Sequence, residues 1–239
     1  MRALPTLLLS AALALPATAQ DLTEAQIKDL VLQTIRENPE IVMEAVGILQ
    51  RRDAEAAEAQ AQTTLGESRD LLERDPNAPV MGNPDGDVTV VEFFDYNCPY
   101  CRRASAQVTD MIARDDGVRV VYREWPILGE GSVFASRAAL AARAQDKYDE
   151  MHEAMMATEG RLDETSVMAI AEEVGLDVGR LRADMEAPEV QSHIDTSMAL
   201  ADQLGFSGTP SFVIGDMRAP GLIDADQMIE AVEAARDGG

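Results

Sequence analysis

Apolar residues recur every three or four positions after about residue 20, which is the spacing of an amphipathic helix. Asn38, Pro39 and Glu40 interrupt this pattern with signals for a new helix, because Asn caps a helix, Pro suits its first turn and Glu favours its positive end. After Leu49 the pattern decays into a polar, alanine-rich stretch. We therefore predict two amphipathic helices, the second with a long polar continuation. Their apolar positions are Leu22, Ile27, Leu30, Val31 and Ile35, then Ile41, Val42, Ala45, Val46 and Leu49.

A helix that carries one apolar stripe must bury that stripe against a partner. The partner is either the rest of the same chain or a second copy of it. The polar continuation has the composition of a spacer, which favours a second copy. We therefore predict that residues 20–72 form an N-terminal helical arm that makes the protein a homo-oligomer, a trimer or a dimer.

Beyond the arm, short β-branched and aromatic runs alternate with helical stretches. Residues 74–87 contain three Pro and two Gly and indicate a turn-rich boundary. A helical composition extends from about 130 to 204, so residues 73–239 are predicted to form an α/β domain with a helical insertion in that range. The predicted strands are Val88–Phe94, dense enough to be buried on both faces, Val118–Tyr122 and Phe212–Ile214.

The first 19 residues have the pattern of a secretory signal peptide. Arg2 supplies a short basic region, Leu7–Leu15 an apolar run, and small residues at 17–19 a cleavage site. The apolar run is too short to span a bilayer. We expect a mature chain that begins at Gln20 and is exported to a bacterial periplasm, where disulfides can form.

The charge of the chain narrows the choice of partners. Its 43 acidic and 20 basic residues give a formal charge of −23. Nucleic acid and anionic membrane surfaces would be repelled by such a chain. We therefore expect no nucleic-acid partner.

The chain has two cysteines, Cys98 and Cys101, and their spacing restricts their role. A disulfide between them would close a very small loop and stabilise the fold little. Structural zinc needs four ligands, and only His152 and His193 remain, 41 positions apart. Copper(I) suits two thiolates and stays open as an alternative. Methionines beside His152 could add soft ligands, although methionine at helical spacing usually fills a core; they are Met151, Met155 and Met156.

Redox chemistry is the interpretation that the sequence favours for this pair. Cys98 follows a predicted strand and precedes a helical stretch that runs to about Arg114, so its thiolate would lie at a helix N-terminus. Unpaired N–H groups and the helix dipole lower the pKa of a thiol at that position. Pro99 suits the first turn. We predict that Cys98 is the nucleophile and that Cys101, one turn later, is the resolving thiol.

The motif Cys98–Cys101 (CPYC) after the strand VTVVEFFDYN, with Gly208–Pro210 before another strand, resembles the thioredoxin superfamily. The helical insertion and the VEFF lead-in resemble its DsbA-like periplasmic thiol–disulfide oxidoreductases. The segments REWPILGEGS and GTPSFVIG and the helical arm are most similar to the ScsC-type branch, which is associated with suppression of copper sensitivity and with oligomeric disulfide isomerases. The resemblance extends from Asp21 to the C-terminus. It predicts a thioredoxin fold with a helical insertion after the arm.

The resemblance also implies roles for individual residues. Thr209 and Pro210 correspond to a Thr–cis-Pro dipeptide that faces the cysteines and pairs with the substrate backbone. Glu92 corresponds to a buried acid that relays protons to and from the buried cysteine, and burial should raise its pKa. Pro99 and Tyr100, between the cysteines, would contact substrate, and Tyr100 would tune the redox potential. No metal and no cofactor is implied.

Together these observations predict a periplasmic thiol–disulfide oxidoreductase acting on secreted client proteins that contain cysteines. The oligomerising arm favours disulfide isomerisation, because several active sites around a cleft could hold a misfolded client. A membrane redox partner would reset the cysteine pair. The alternatives are a DsbA-type dithiol oxidase, a copper(I)-binding or copper-tolerance module, and a chaperone that uses the apolar stripe of the arm.

Overall fold

The computed structural model describes residues 22–238, so the predicted signal peptide lies outside the described residues. These residues divide between Ala54 and Glu55 into two compact units. No helix in the described range is both long enough and apolar enough to cross a membrane. The helices are α1 (Glu24–Glu37), α2 (Glu40–Arg74), α3 (Pro99–Arg114), α4 (Glu130–Ala142), α5 (Tyr148–Ala157), α6 (Glu164–Glu173), α7 (Val178–Asp184), α8 (Pro188–Gln203) and α9 (Ala225–Asp237). The strands are β1 (Val80–Gly82), β2 (Val88–Phe94), β3 (Val118–Glu124), β4 (Ser211–Ile214) and β5 (Met217–Pro220).

The first unit consists of α1 and the beginning of α2, as the apolar periodicity predicts. Thr23 caps α1 and forms a reciprocal capping box with Gln26. The stripe itself remains exposed, and its residues border an apolar groove of about 390 Å³ within this unit. The groove is lined by Leu22, Ile27, Leu30, Val31, Thr34, Ile35 and Ile41.

The second unit is built on a five-stranded sheet in the order β1-β3-β2-β4-β5, with β2 at its centre. Strands β2 and β3 are parallel, and the other neighbouring pairs are antiparallel. The five helices α4–α8 lie between β3 and β4 in the chain, where the helical insertion was predicted. The sequence did not predict β1, because its three residues lie within the turn-rich segment.

Both faces of β2 are buried, which explains its nearly continuous apolar sequence. Val90 and Phe94 face the larger core, which includes both cysteines and residues of α3, α5 and α9. Val91 and Phe93 face the opposite side and pack with residues of α2 and α8. The central strand is therefore fixed on both sides immediately before the cysteine motif begins.

The end of α2 packs in the second unit, whereas the sequence assigned all of residues 20–72 to the arm. Leu65 and Leu72, seven residues apart and so on one face of the helix, are buried against the sheet. Arg123 on β3 is fully buried and donates hydrogen bonds to the carbonyls of Leu71 and Leu72 at the end of the helix. The division between the units thus lies 18 positions before the predicted one, inside α2.

Candidate active site

Cys98 lies where the central strand turns into a helix. Strand β2 ends at Phe94, residues 95–97 form the turn, and Cys98 is the N-cap of α3 with extended backbone angles (φ −84°, ψ 117°). Pro99 occupies the first helical position, where its missing N–H is not needed. Both cysteines are buried free thiols. The strand–cysteine–helix arrangement expected from the sequence is therefore present.

The environment of Cys98 favours its thiolate. A hydrogen bond from the Cys101 thiol, assisted by Thr209 and by the backbone N–H groups of Cys101 and Tyr100, lowers the pKa of Cys98 to about 5, although partial burial opposes the change. When protonated, the Cys98 thiol donates to the carbonyl oxygen of Thr209, 3.2 Å away. Near pH 7 this cysteine is therefore a thiolate.

Cys101 has the opposite character. It is fully buried, and burial raises its pKa far above the ordinary value for a thiol. Its hydrogen bond to Cys98 and the negative charge of Glu92 act in the same direction. The two sulfurs of the motif are therefore chemically distinct: Cys98 carries the charge and Cys101 keeps its proton.

Thr209 and Pro210 lie beside the cysteines at the start of β4. The peptide bond between them is cis, as the resemblance implied. Strand β4 pairs antiparallel with β2 and aligns Ser211 with Phe93, which brings the preceding dipeptide to the end of β2 that leads to Cys98. Ser211 donates through its hydroxyl to the carbonyl of Gly208 at 2.7 Å and closes this turn.

Glu92 is buried in the central strand, where the sequence placed it. It pairs in register with Tyr122 on β3 and Phe212 on β4. Burial, followed by the negative charges of Cys98 and Glu124, raises the pKa of Glu92 to about 8. Its Oε1 atom has no hydrogen-bond partner among residues 22–238. This side chain is therefore a buried carboxyl able to hold a proton near neutral pH.

The residues between the cysteines differ in exposure. Pro99 is exposed at the first turn of the helix. Tyr100 is 55% exposed, and the guanidinium of Arg103 lies 5.7 Å from the centre of its ring. The Tyr100 ring can therefore contact a molecule that approaches Cys98.

Asp95 is a site residue that the sequence analysis missed. Its fully buried carboxylate accepts hydrogen bonds from three backbone N–H groups: those of Asn97 at 2.7 Å, Ile127 at 2.8 Å and Leu128 at 2.9 Å. Its carbonyl accepts from the N–H of Cys98 at 3.0 Å. Asp95 thus links two segments by hydrogen bonds: the turn that carries Cys98, and the loop after β3.

Asn97 was missed as well, although every polar atom of its side chain is used. Its Oδ1 accepts from the N–H of Leu162 at 2.6 Å. Its Nδ2 donates to the carbonyl of Leu162 at 3.1 Å and to the hydroxyl of Ser132 at 3.2 Å. The signal available in the sequence was the run of polar residues directly after an apolar strand, since a buried polar side chain needs partners.

Tyr96, between these two residues, enters a buried polar cluster around Glu124. The hydroxyls of Tyr96 and Tyr148 donate to Glu124 Oε1 at 3.0 and 2.9 Å. Burial raises the pKa of Glu124 to about 8, and hydroxyl donors oppose that rise. His152 Nδ1 lies 3.1 Å from the Tyr96 hydroxyl, and burial lowers the pKa of this imidazole to about 3.

The candidate soft ligands near His152 belong to the core. Met151, Met155 and Met156 are buried in the larger core cluster. Burial also lowers the pKa of His193 to about 3, and nearby arginines contribute to that change. Among residues 22–238, no group of three or more His, Cys, Asp or Glu side chains is placed to hold a metal ion.

Comparison with protein families gives two matches. The DSBA-like thioredoxin domain matches residues 89–233, more than half of the chain. The N-terminal domain of the copper resistance protein ScsC matches residues 24–56. The first match includes Cys98, Cys101 and Pro210, and the second covers α1 and the beginning of α2.

The solved structures that resemble this chain over most of their own length include the following two. A thioredoxin-like oxidoreductase from Silicibacter pomeroyi is 62% identical, with a TM-score of 0.71, and the match covers 72% of this chain and 99% of that one. A linker-deletion mutant of Proteus mirabilis ScsC is 27% identical, with a TM-score of 0.71, and the match covers 93% of this chain and 100% of that one.

Curated relatives are matched over only part of their length. A Na(+)/H(+) antiporter NhaA 3 from Salinispora tropica is 30% identical over 182 residues, which are 73% of this chain and 28% of the antiporter. The chain thus spans little more than a quarter of that relative.

Proposed function

This chain belongs to the DSBA-like thioredoxin family and is a thiol–disulfide oxidoreductase, and from that premise we propose that it isomerises disulfides in secreted proteins of a bacterial periplasm. The observation that carries the proposal is the contrast between the two thiols. Cys98 has a pKa of about 5 at a helix N-terminus, whereas the pKa of Cys101 is far above its ordinary value. In such a pair, one sulfur is a thiolate that can attack a disulfide, and the other stays protonated until a later step.

The reaction begins when the Cys98 thiolate attacks one sulfur of a client disulfide. A bond forms between Cys98 and that sulfur, and the client's other sulfur leaves as a thiolate with the bonding electrons. In isomerisation, a client thiolate then attacks elsewhere and finally displaces Cys98, so no net electrons are transferred. If the mixed disulfide persists, Cys101 attacks Cys98 and releases the client, which has gained two electrons.

The attack of Cys101 on the mixed disulfide is called the escape step. Glu92 is proposed to take the proton that Cys101 must lose in this step. While Cys98 is a thiolate, its charge helps to keep the Glu92 carboxyl protonated. In the mixed disulfide Cys98 has no charge, so the proton affinity of Glu92 falls and a carboxylate forms more readily. The loss of charge at Cys98 would thus favour the ionised, proton-accepting form of Glu92 at the stage when Cys101 has to react.

Client proteins are proposed to bind on the surface around Cys98. Thr209 and Pro210 support this proposal, because they lie beside the thiol at the end of an antiparallel strand pair. The exposed ring of Tyr100 adds apolar surface next to the nucleophile. A membrane redox partner is proposed to reduce the Cys98–Cys101 disulfide after each escape step.

The arm is proposed to assemble the chain into a trimer or a dimer. Its exposed apolar stripe and groove support this proposal, because contiguous apolar surface on a helix favours association. The match of residues 24–56 to the N-terminal domain of ScsC supports it too. Several active sites in one particle would let a scrambled client exchange disulfides without diffusing away.

Reactivation of scrambled ribonuclease tests the proposed function. The wild-type protein, supplied reduced, should restore ribonuclease activity, and Cys98→Ala should restore none above the uncatalysed rate. Cys101→Ser should keep the first attack and accumulate mixed disulfides visible on a non-reducing gel. Equal reactivation by wild type and Cys98→Ala would remove the catalytic proposal.

A dithiol oxidase is the second candidate, favoured by the low pKa of Cys98. A stabilised thiolate favours the reduced form, so the corresponding disulfide is a good oxidant. Trapping the thiols in intact cells separates the two functions: an isomerase should be found mainly reduced and an oxidase mainly as the Cys98–Cys101 disulfide.

A further inference from the structure

Hydrogen bonds around Cys98 join three segments that are distant in sequence. Asn97 binds both the N–H and the C=O of Leu162, in the connection between α5 and α6. Arg161, the preceding residue, donates to the carbonyl of Leu128 in the loop after β3. The N–H of Leu128 in turn donates to the carboxylate of Asp95.

These contacts form a closed ring. The path runs from Asp95 through Leu128, Arg161 and Leu162 to Asn97, which is covalently bonded to Cys98. The N–H of Cys98 donates to the carbonyl of Asp95 and closes the path. We call this set of contacts the active-site ring. Its members are Asp95, Asn97, Cys98, Leu128, Arg161 and Leu162.

Two glycines show how closely the segments of the ring approach one another. A Cβ atom on Gly131, in the first turn of α4, would lie 2.3 Å from the carbonyl oxygen of Leu162. Gly129, directly after Leu128, has a φ of 109°, which disfavours any residue with a side chain. The backbone of the loop and of α4 is therefore shaped to admit the connection that carries Arg161.

The segments of the ring also carry exposed side chains. Ile127 is 39% exposed and Leu128 36% exposed, although the N–H groups of both are bound to Asp95. Arg161 is exposed on the connection between α5 and α6. Two apolar side chains and a guanidinium are thus exposed on segments that are hydrogen-bonded to the turn before Cys98, in a chain whose formal charge is −23.

We propose that Asn97 and Arg161 are specificity-positioning residues that hold this surface at a fixed distance from Cys98 for a protein client. Neither residue touches the reacting sulfurs. They act through Leu162 and Leu128, whose backbone groups they bind. The inference rests on the proposed function, because it concerns clients that react at Cys98.

The size of the substrate separates this role from chemistry at the thiol. A small disulfide reaches Cys98 without covering the neighbouring loop, so loosening the ring at its Leu128–Arg161 link should not change the reaction of that disulfide. A protein client covers a wider area and gains affinity from preorganised contacts. Loosening the ring should therefore weaken the binding of a protein client and leave the chemical step unchanged.

The test compares two single-turnover reactions of the reduced full-length protein. One measures the second-order rate constant with the small disulfide 5,5′-dithiobis(2-nitrobenzoate). The other follows oxidation of the protein by increasing concentrations of scrambled ribonuclease, which gives an apparent Kd and a limiting rate. The variants are Asn97→Ala and Arg161→Ala. Asn83→Ala is the matched control, because Asn83 also binds a backbone carbonyl, that of Asp116 at 2.9 Å, but at the opposite end of β2.

Arg161→Ala should raise the apparent Kd for scrambled ribonuclease at least threefold, while the limiting rate and the small-disulfide rate stay within twofold of wild type. Asn97→Ala should raise the Kd by a larger factor, and Asn83→Ala should change nothing. An equal loss in both reactions, or an unchanged Kd, would overturn the inference. If Asn97→Ala does not fold, Arg161→Ala decides, because its side chain is exposed. A wild-type protein that scrambled ribonuclease cannot oxidise would contradict the proposed function itself.

Discussion

Two thiols one helical turn apart hold their protons with very different strength. Cys98 gains hydrogen bonds to its ionised form, whereas the proton of Cys101 is held by burial, by the hydrogen bond to Cys98 and by the negative charge of Glu92. Burial alone would raise both pKa values, so the difference arises from where the donors point. The strand–turn–helix geometry therefore determines which sulfur is ionised near neutral pH.

Alkylation should reveal this difference directly. The rate at which iodoacetamide modifies the reduced protein should follow the ionisation of Cys98 and reach half its maximum near pH 5. Mass spectrometry of peptides should place the first adduct on Cys98, because Cys101 is buried and protonated. A midpoint near pH 9, or a first adduct on Cys101, would contradict the assignment.

Glu92 should make stability depend on pH in a direction that can be worked out. Its pKa is about 8 in the folded protein against an ordinary value of 4.5, so the folded state binds the proton more tightly than the unfolded state. This contribution to stability is fully present below about pH 4.5 and is lost as the pH rises through 8, at about 1.4 kcal/mol per unit at most.

Glu92→Gln removes that contribution, so the variant should gain stability relative to wild type as the pH rises from 5 to 8. Urea unfolding at several pH values measures the difference. The matched control is Glu230→Gln, which removes an exposed carboxyl on α9. A difference between Glu92→Gln and wild type that does not vary with pH would exclude a titrating carboxyl at this position.

The sequence singled out its candidate chemistry-bearing residues because each has a local signature. The cysteine pair has its spacing, and Thr209, Pro210 and Glu92 have a family resemblance to support them. Asp95 and Asn97 could not be predicted, because the partners that the fold brings to them lie 32 to 65 positions away in the chain. Polarity in the sequence showed that partners were needed, without showing which ones.

At the scale of elements, α2 is where the sequence was least informative. Its first part has a clear apolar stripe, which predicts an amphipathic helix. Its last part has few apolar residues, and the sequence therefore suggested a spacer. Two leucines on one face are nevertheless sufficient to bury this end against the sheet, where Arg123 binds its last carbonyls. The predicted thioredoxin fold with its helical insertion is confirmed. The length of the arm could not be derived from the composition of the sequence.

The packing of α2 can be tested with two adjacent leucines. Leu72 is fully buried, while Leu71 is 45% exposed. Leu72→Ala should lower the free energy of unfolding by about 2–5 kcal/mol, since it leaves a cavity in a packed core. Leu71→Ala should cost well under half as much. Similar losses in denaturant unfolding would show that this end of α2 does not pack as described.

At the scale of the whole molecule, the question is whether the chain assembles through its arm. An excess of 23 negative charges disfavours association in general. An apolar stripe exposed on the arm favours it locally, and a charge placed within that stripe should oppose it. The arm should therefore be the part of the molecule most sensitive to a single added charge.

Val31→Asp places a charge in the apolar groove, and Gln33→Asp places the same charge on an exposed polar position of the same helix. Light scattering should show the mass of one chain for Val31→Asp and the mass of the wild-type oligomer for Gln33→Asp. Both variants should react with small disulfides at the wild-type rate. An unchanged mass for Val31→Asp would argue against assembly through this groove.

The two histidines have a consequence for reading kinetic data. His152 and His193 are the only imidazoles in the chain, and burial keeps the pKa of each near 3. The ring nitrogens of both should therefore keep the NMR shifts of a neutral imidazole while the folded protein is titrated through neutrality. Curvature in a rate profile between pH 5 and 8, which in many enzymes would first be attributed to histidine, can here be assigned to thiol and carboxyl groups without a histidine substitution.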